Sequence, residues 1–199
     1  LNNYKINYVA WGKTKDKRNY SWVDLDNDKA IEIIINYLIK KNHSHISYIN
    51  ISEKYNFANE RKASFLKNLK LNKIKFNKNY YASVKLEEPE KSFEIIKQML
   101  TKNKKISAII CSTEFSALSA IKACDFLNYK IGKDISIITF DGALVRDLSS
   151  PPITAVSFPV KELGKRAINI LLSKKIKNQS ITFMPKSEII ERGSVHTVK

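Results

Sequence analysis

Residues 135–159 read ISIITFDGALVRDLSSPPITAVSFP. A nearly continuous apolar run, 135–140, stops on a lone carboxylate, Asp141, and enters a polar loop. The loop closes on Pro151-Pro152, and a second apolar run, 153–158, starts at once. Apolar residues on both faces of a short run predict a strand of a parallel sheet that is covered on both sides. The proline pair, with fixed φ and no amide donors, suits a strand entrance better than the middle of a ladder.

Outward from this stretch the pattern repeats. Strand-length apolar runs at 6–11, 46–51, 80–84, 106–111 and 181–184 alternate with helix-length stretches near 28–41, 58–71, 89–102, 114–127 and 160–172. Pro89 suits a first helical position, Thr113 an N-cap before Glu114, and Asn42 a left-handed helix stop. The alternation predicts an α/β, doubly wound chain, and ligands of such sheets collect beyond the carboxyl ends of the strands. Asp141 falls at one such end and Thr113-Glu114 at another. A carboxylate there suits a pair of sugar hydroxyls, while an aspartate capping a turn ahead of Gly142 is the other reading the residues allow.

The bulk composition narrows the classes. The chain has 199 residues, enough for one domain or two small lobes, with 43% hydrophobic and 27% charged residues. No apolar run reaches the length of a membrane span. The opening LNNYKINYVAWG lacks both a signal-peptide layout and an initiator Met, so a processed or cut chain is expected. Cys111 and Cys124 sit in apolar patterns without CxxC spacing and read as buried free thiols of a reducing cytoplasm. The net charge of +16 comes from 35 basic and 19 acidic residues scattered along the chain, and it reads as solvated loops and helix faces. His43-Ser44-His45 lacks a third ligand, so no metal is expected. With five glycines and no nucleophile, zincin or phosphate-loop motif, neither a cofactor nor enzymatic catalysis is expected.

The segment DISIITFDGALVRDLSSPPITAVSFPVKELGKRAINILL resembles the LacI/GalR family of sugar-responsive transcriptional repressors. YSWVDLDNDKAIEIIINYLIKKNHSHISYI, NERKASF, ISAIICSTEFSALSAIKA and SEIIERGS resemble further family segments, in the family's order. The resemblance implies two Rossmann-like lobes with parallel sheets, of the type I periplasmic binding protein kind, joined by three crossovers near 25–27, 155–159 and 184–187. It places 1–25 plus 158–186 in an incomplete first lobe and 26–157 plus 187–199 in the second. The family's helix-turn-helix and the opening strand–helix units of its first lobe are expected upstream, outside this sequence.

The resemblance also names residues. Asp141 matches the aspartate that accepts from sugar hydroxyls, with Thr139 in place of the usual Gly and Gly142 in place of a second Asp. Arg61 matches a cleft-facing arginine whose fork suits hydroxyls or carboxylates, with Ser64 where the family has glycine. Thr113 and Glu114 stand where the family has an Asn-Asp pair, and Phe158 stands at the second crossover. Trp11, which ends a strand, offers either a flat face for a sugar or a core ring. Phe57 is read as a rim residue, and Glu87 replaces an aromatic stacker. The expectation is a cytoplasmic, homodimeric effector-binding module. It would bind a carbohydrate and reach operator DNA through a helix-turn-helix outside this chain, without contacting membrane. The rival expectation is the solute-binding protein of an ABC-type sugar transporter.

Overall fold

The computed structural model describes residues 7–14, 20–85, 87–140, 142, 148–173 and 182–199. Within them the elements run β1 (Val9–Trp11), β2 (Ser21–Val23), α1 (Asn27–Lys40), β3 (Ile46–Ile51), α2 (Asn56–Leu71) and β4 (Tyr81–Val84). There follow α3 (Pro89–Lys102), β5 (Ala108–Cys111), α4 (Glu114–Phe126), β6 (Ser136–Phe140), β7 (Thr154–Val156), α5 (Val160–Leu172), β8 (Thr182–Phe183) and β9 (Ile189–Ile190).

The strands form two sheets. The small sheet has the order β1-β2-β8 and is wholly parallel. The large sheet has the order β4-β3-β5-β6-β7-β9 and is parallel except where β9 runs against β7. The chain crosses between the sheets three times, after β2, after β7 and after β8.

Period-two alternation explains why the central strands read as continuous apolar runs. Ile49, Ile51, Ile109, Cys111, Ile135 and Ile137 pack with α3 and α4 residues such as Ile96, Leu100, Ala117 and Ala120. Ile46, Tyr48, Ala108, Ile110, Ile138 and Phe140 pack on the other face with Ile31, Ile34, Ile35 and Leu38 of α1 and Phe65 and Leu69 of α2. Each fully buried Ile or Leu contributes about 2–3 kcal/mol, so both helical layers are firmly held. Cys111 and Cys124 are free and buried in the first of these cores. The small sheet packs Val23 against Leu163 and Ile170 of α5.

Local signals set the ends. Asp26 caps α1 by accepting from Lys29 N at 2.9 Å, and Asn42 takes a left-handed φ of 64° after it. Ser64 Oγ donates to Asp28 O at 2.8 Å, so a serine hydroxyl ties α2 to α1. Gly132, at φ 78°, is obligatory, because a Cβ there would lie 2.1 Å from Gly193 O. Two strands are additions to the sequence reading, β2 and β9. With three and two residues they are too short to show a period. Among the described residues, no helix is long and apolar enough to cross a membrane.

Candidate functional site

The carboxyl ends of the strands in both sheets open onto one cavity of about 500 Å³. Trp11 reaches it from the end of β1, Asp24 from just after β2, and Ser112 and Thr113 from the turn between β5 and α4. Phe140 comes from the end of β6, Phe158 from the crossover after β7, and Tyr55, Asn56, Phe57 and Arg61 from the start of α2.

Arg61 organises the floor. Its Nε donates to Asn27 Oδ1 at 2.8 Å and its Nη1 donates to the Ser112 carbonyl. The guanidinium carbon lies 3.4 Å from the centroid of the Phe140 ring and 4.8 Å from that of Phe57. These rings occupy the cation's surroundings, so hydrogen bonding is left to its edge. Nη2 has no partner among the described residues. Arg61 is only 6% exposed, and burial lowers its pKa to about 10, which still leaves it charged near neutral pH.

Acidic groups surround this cation at longer range. The Asp24 carboxylate accepts from Lys13 N at 2.9 Å and Leu25 N at 2.8 Å. Its burial outweighs those bonds and raises its pKa above the usual carboxylate value. Glu60 accepts from Asn27 Nδ2 at 3.0 Å and Asn56 Nδ2 at 3.1 Å. It also pairs with Lys13 Nζ at 3.0 Å, which links the end of β1 in the small sheet to α2 of the large one.

Five of the six residues singled out from sequence, Arg61, Thr113, Glu114, Phe158 and Trp11, line this cavity. The sixth, Asp141, lies outside the described residues. The Trp11 side chain is exposed at the cavity wall, which excludes the core reading. Phe158 packs against the cores of both sheets, so it forms the seam between them. Thr113 is bound up in a capping box: its Oγ1 accepts from Ser116 N at 3.1 Å, while Ser116 Oγ accepts from Thr113 N at 3.1 Å. Glu114 opens α4 with its carboxyl against Gly142, where an added Cβ would lie 2.5 Å from Glu114 Cδ. Phe57, read as a rim residue, is one of the two rings beside Arg61. Glu87 is outside the lining, in a surface pair with Lys54 at 3.7 Å.

The sequence reading missed Asp24 because β2, whose end carries it, was not recognised. It missed Phe140 as a cavity residue although strand parity alone puts that ring on the α1–α2 face beside Arg61. The histidines diverge. His45 faces Tyr80, whereas His43 enters a cluster at the amino ends of the strands. There Ser136 Oγ lies 3.1 Å from His43 Nε2 and 3.0 Å from His196 Nδ1, which pins the C-terminal residues beneath the large sheet.

Residues 35–195 match the profile of the periplasmic binding protein-like domain. The chain belongs to the periplasmic binding protein-like domain family. This domain is 30% identical over 194 residues to the HTH-type transcriptional repressor PurR of Erwinia tasmaniensis, a match covering 94% of the chain and 55% of that repressor. The domain therefore spans about half the length of the curated relatives it matches. Its fold matches a LacI-family regulatory protein of Chloroflexus aggregans with a TM-score of 0.82 at 23% identity, over 98% of this chain and 70% of that one. It also matches the transcriptional regulator CelR in complex with cellobiose, with a TM-score of 0.84 at 17% identity, over 94% and 58% of the respective chains.

Proposed function

We propose that the cavity binds a small polyhydroxylated effector, a carbohydrate, and that the chain is the effector-binding and dimerisation module of a LacI/GalR-type transcriptional regulator. The observation that carries this reading is Arg61. A buried guanidinium, held by Asn27 and Ser112 and flanked by Phe57 and Phe140, lines a cavity bounded by two sheets, and its Nη2 has no partner among the described residues. Flat rings pack on sugar C–H faces while fixed in-plane donors and carboxylates read the hydroxyls. Arg61, Glu114 and Asp141 make the polar contacts in this proposal; Trp11 and Phe158 make the apolar ones, and Thr113 holds the α4 end of the site.

In this reading, residues 1–25 plus 158–186 belong to one lobe and 26–157 plus 187–199 to the other. An effector touching both favours one lobe arrangement over another, and a tenfold preference corresponds to about 1.4 kcal/mol of coupling. The arrangement is transmitted to operator DNA through a helix-turn-helix outside this chain, in the cytoplasm and without catalysis. Two copies pair through α3 and α4, where Ile95 and Phe126 are exposed and Phe93 stands edge-on to Phe126 at 5.8 Å. The naming of PurR as a repressor and the cellobiose in the CelR complex support the regulator over a transporter's solute-binding protein.

A calorimetric screen of sugars, sugar phosphates and nucleosides against the full-length protein is the test. At least one sugar should bind with one site per chain, and both Arg61→Ala and Asp141→Ala should weaken it at least tenfold. Unchanged affinity in both variants would remove the proposed site.

A further inference from the structure

A second cavity, of about 650 Å³, lies at the opposite end of the large sheet, at the amino ends of β3 and β4. Its walls combine apolar residues, Ile46, Leu69, Ile74 and Phe76, with three cations, Lys73, Lys75 and Lys78. We propose that this cavity is a binding site for an organic polyanion that carries a flat ring, of the nucleoside polyphosphate class, separate from the effector cleft.

Charge supplies the first argument. Lys73, Lys75 and Lys78 have no acidic partner among the described residues, although they surround a single hollow. Converging cations with no internal counter-charge leave their attraction available to a bound anion.

Backbone conformation is the second argument. Three non-glycine residues adopt positive φ, and two of them, Asn42 and Asn128, are of the type that tolerates it. The third is Lys73, at φ 58°, closing α2 where glycine or asparagine is favoured. A lysine at this position disregards the local preference and sets a cation at the cavity wall.

The third argument is the ring. Phe76 is 41% exposed but is held edge-on against buried Phe65, with centroids 6.4 Å apart. Tyr80, another lining residue, is held by the 3.3 Å hydrogen bond between its hydroxyl and His45 Nδ1. Supported aromatic faces next to clustered cations suit a base stacked on Phe76 with phosphates on the lysines. The volume lies within the range of small-molecule sites and is concave, which favours a small ligand over a macromolecular surface.

The test is calorimetry on the full-length protein with ATP, sodium tripolyphosphate and adenosine, at low and high salt. ATP should bind with one site per chain, more weakly as salt rises, and at least tenfold tighter than either fragment probe. The Lys73→Glu/Lys75→Glu double variant should reduce ATP affinity at least tenfold, and Phe76→Ser should reduce it with little change for tripolyphosphate. Both changes are at exposed positions, and unaltered circular dichroism would show that the fold is kept. Arg61→Ala should leave ATP binding intact, which separates this site from the cleft. Absence of ATP binding at roughly 1 mM overturns the proposal. So does tripolyphosphate binding as tight as ATP, which reduces the site to counter-ion attraction, and so does loss of ATP binding in Arg61→Ala, which moves it to the cleft.

Discussion

Arg61 is a structural anchor and, in the proposed function, also a ligand contact. Its removal leaves Asn27 Oδ1 and the Ser112 carbonyl without their donor inside a closed environment. Loss of two such bonds should cost about 2–3 kcal/mol in Arg61→Ala, read from urea denaturation, alongside the weaker sugar binding that the proposed function predicts. Arg61→Lys should recover little of either, because one ammonium cannot serve two divergent acceptors and also face the cavity. His43 and His196 give a pH signature at the same scale. Burial lowers both pKa values below the usual 6.5, against the His196 carbonyl that acts on His43 and the Asp134 charge that acts on His196. The unfolded chain therefore binds protons that the native state refuses. Stability is complete above the unfolded value and declines as pH falls below it toward the folded values. The urea midpoint should drop between about pH 7.5 and 5.5, and a His43→Gln/His196→Gln variant should flatten that slope.

At the scale of elements, caps and turns answer to local chemistry. Thr113→Ala breaks the α4 capping box and should cost about 1 kcal/mol, measured as a fall in Tm. Gly132→Ala should cost more, since about 1–3 kcal/mol of left-handed strain is added to contact with the Gly193 carbonyl. If Gly132→Ala proved the milder of the two, the bridge between these backbones would not be rigid. The bounds of α3 and α5 were legible because Pro89 and a strong 3.6-residue apolar period lie within the elements themselves. β3 was legible because its six residues are all buried, whereas β2 and β9 exist only by pairing with neighbours that the sequence does not place beside them.

For the whole molecule, the seam between the two sheets includes an ion pair and apolar packing. The Lys13–Glu60 pair is partly exposed on both sides, so it contributes at most about 1 kcal/mol to holding them together. The phenyl ring of Phe158, packed into both cores, therefore carries more of the seam than the ion pair does. The proposed dimer would assemble through α3 and α4. Ile95→Glu/Phe126→Glu places charge on both exposed apolar positions and should shift the full-length protein from dimer to monomer in sedimentation, while leaving the urea midpoint little changed. A dimer that persists would place the interface elsewhere.

The sequence by itself determined the α/β class, the five helices and most strands. These follow from short-range physics: apolar period, capping groups and turn residues act within a few positions. Only the tertiary structure decided which of those residues meet. Arg61 bonds to groups 34 and 51 positions away, and its two flanking rings come from α2 and from the end of β6. Strand order and the crossing of the chain between two sheets set that convergence, and neither leaves a periodic mark along the chain. The basic cavity beneath the large sheet is likewise a product of topology. Its lysines lie close together in sequence, but the hollow they surround exists only because α2 ends beside the starts of β3 and β4.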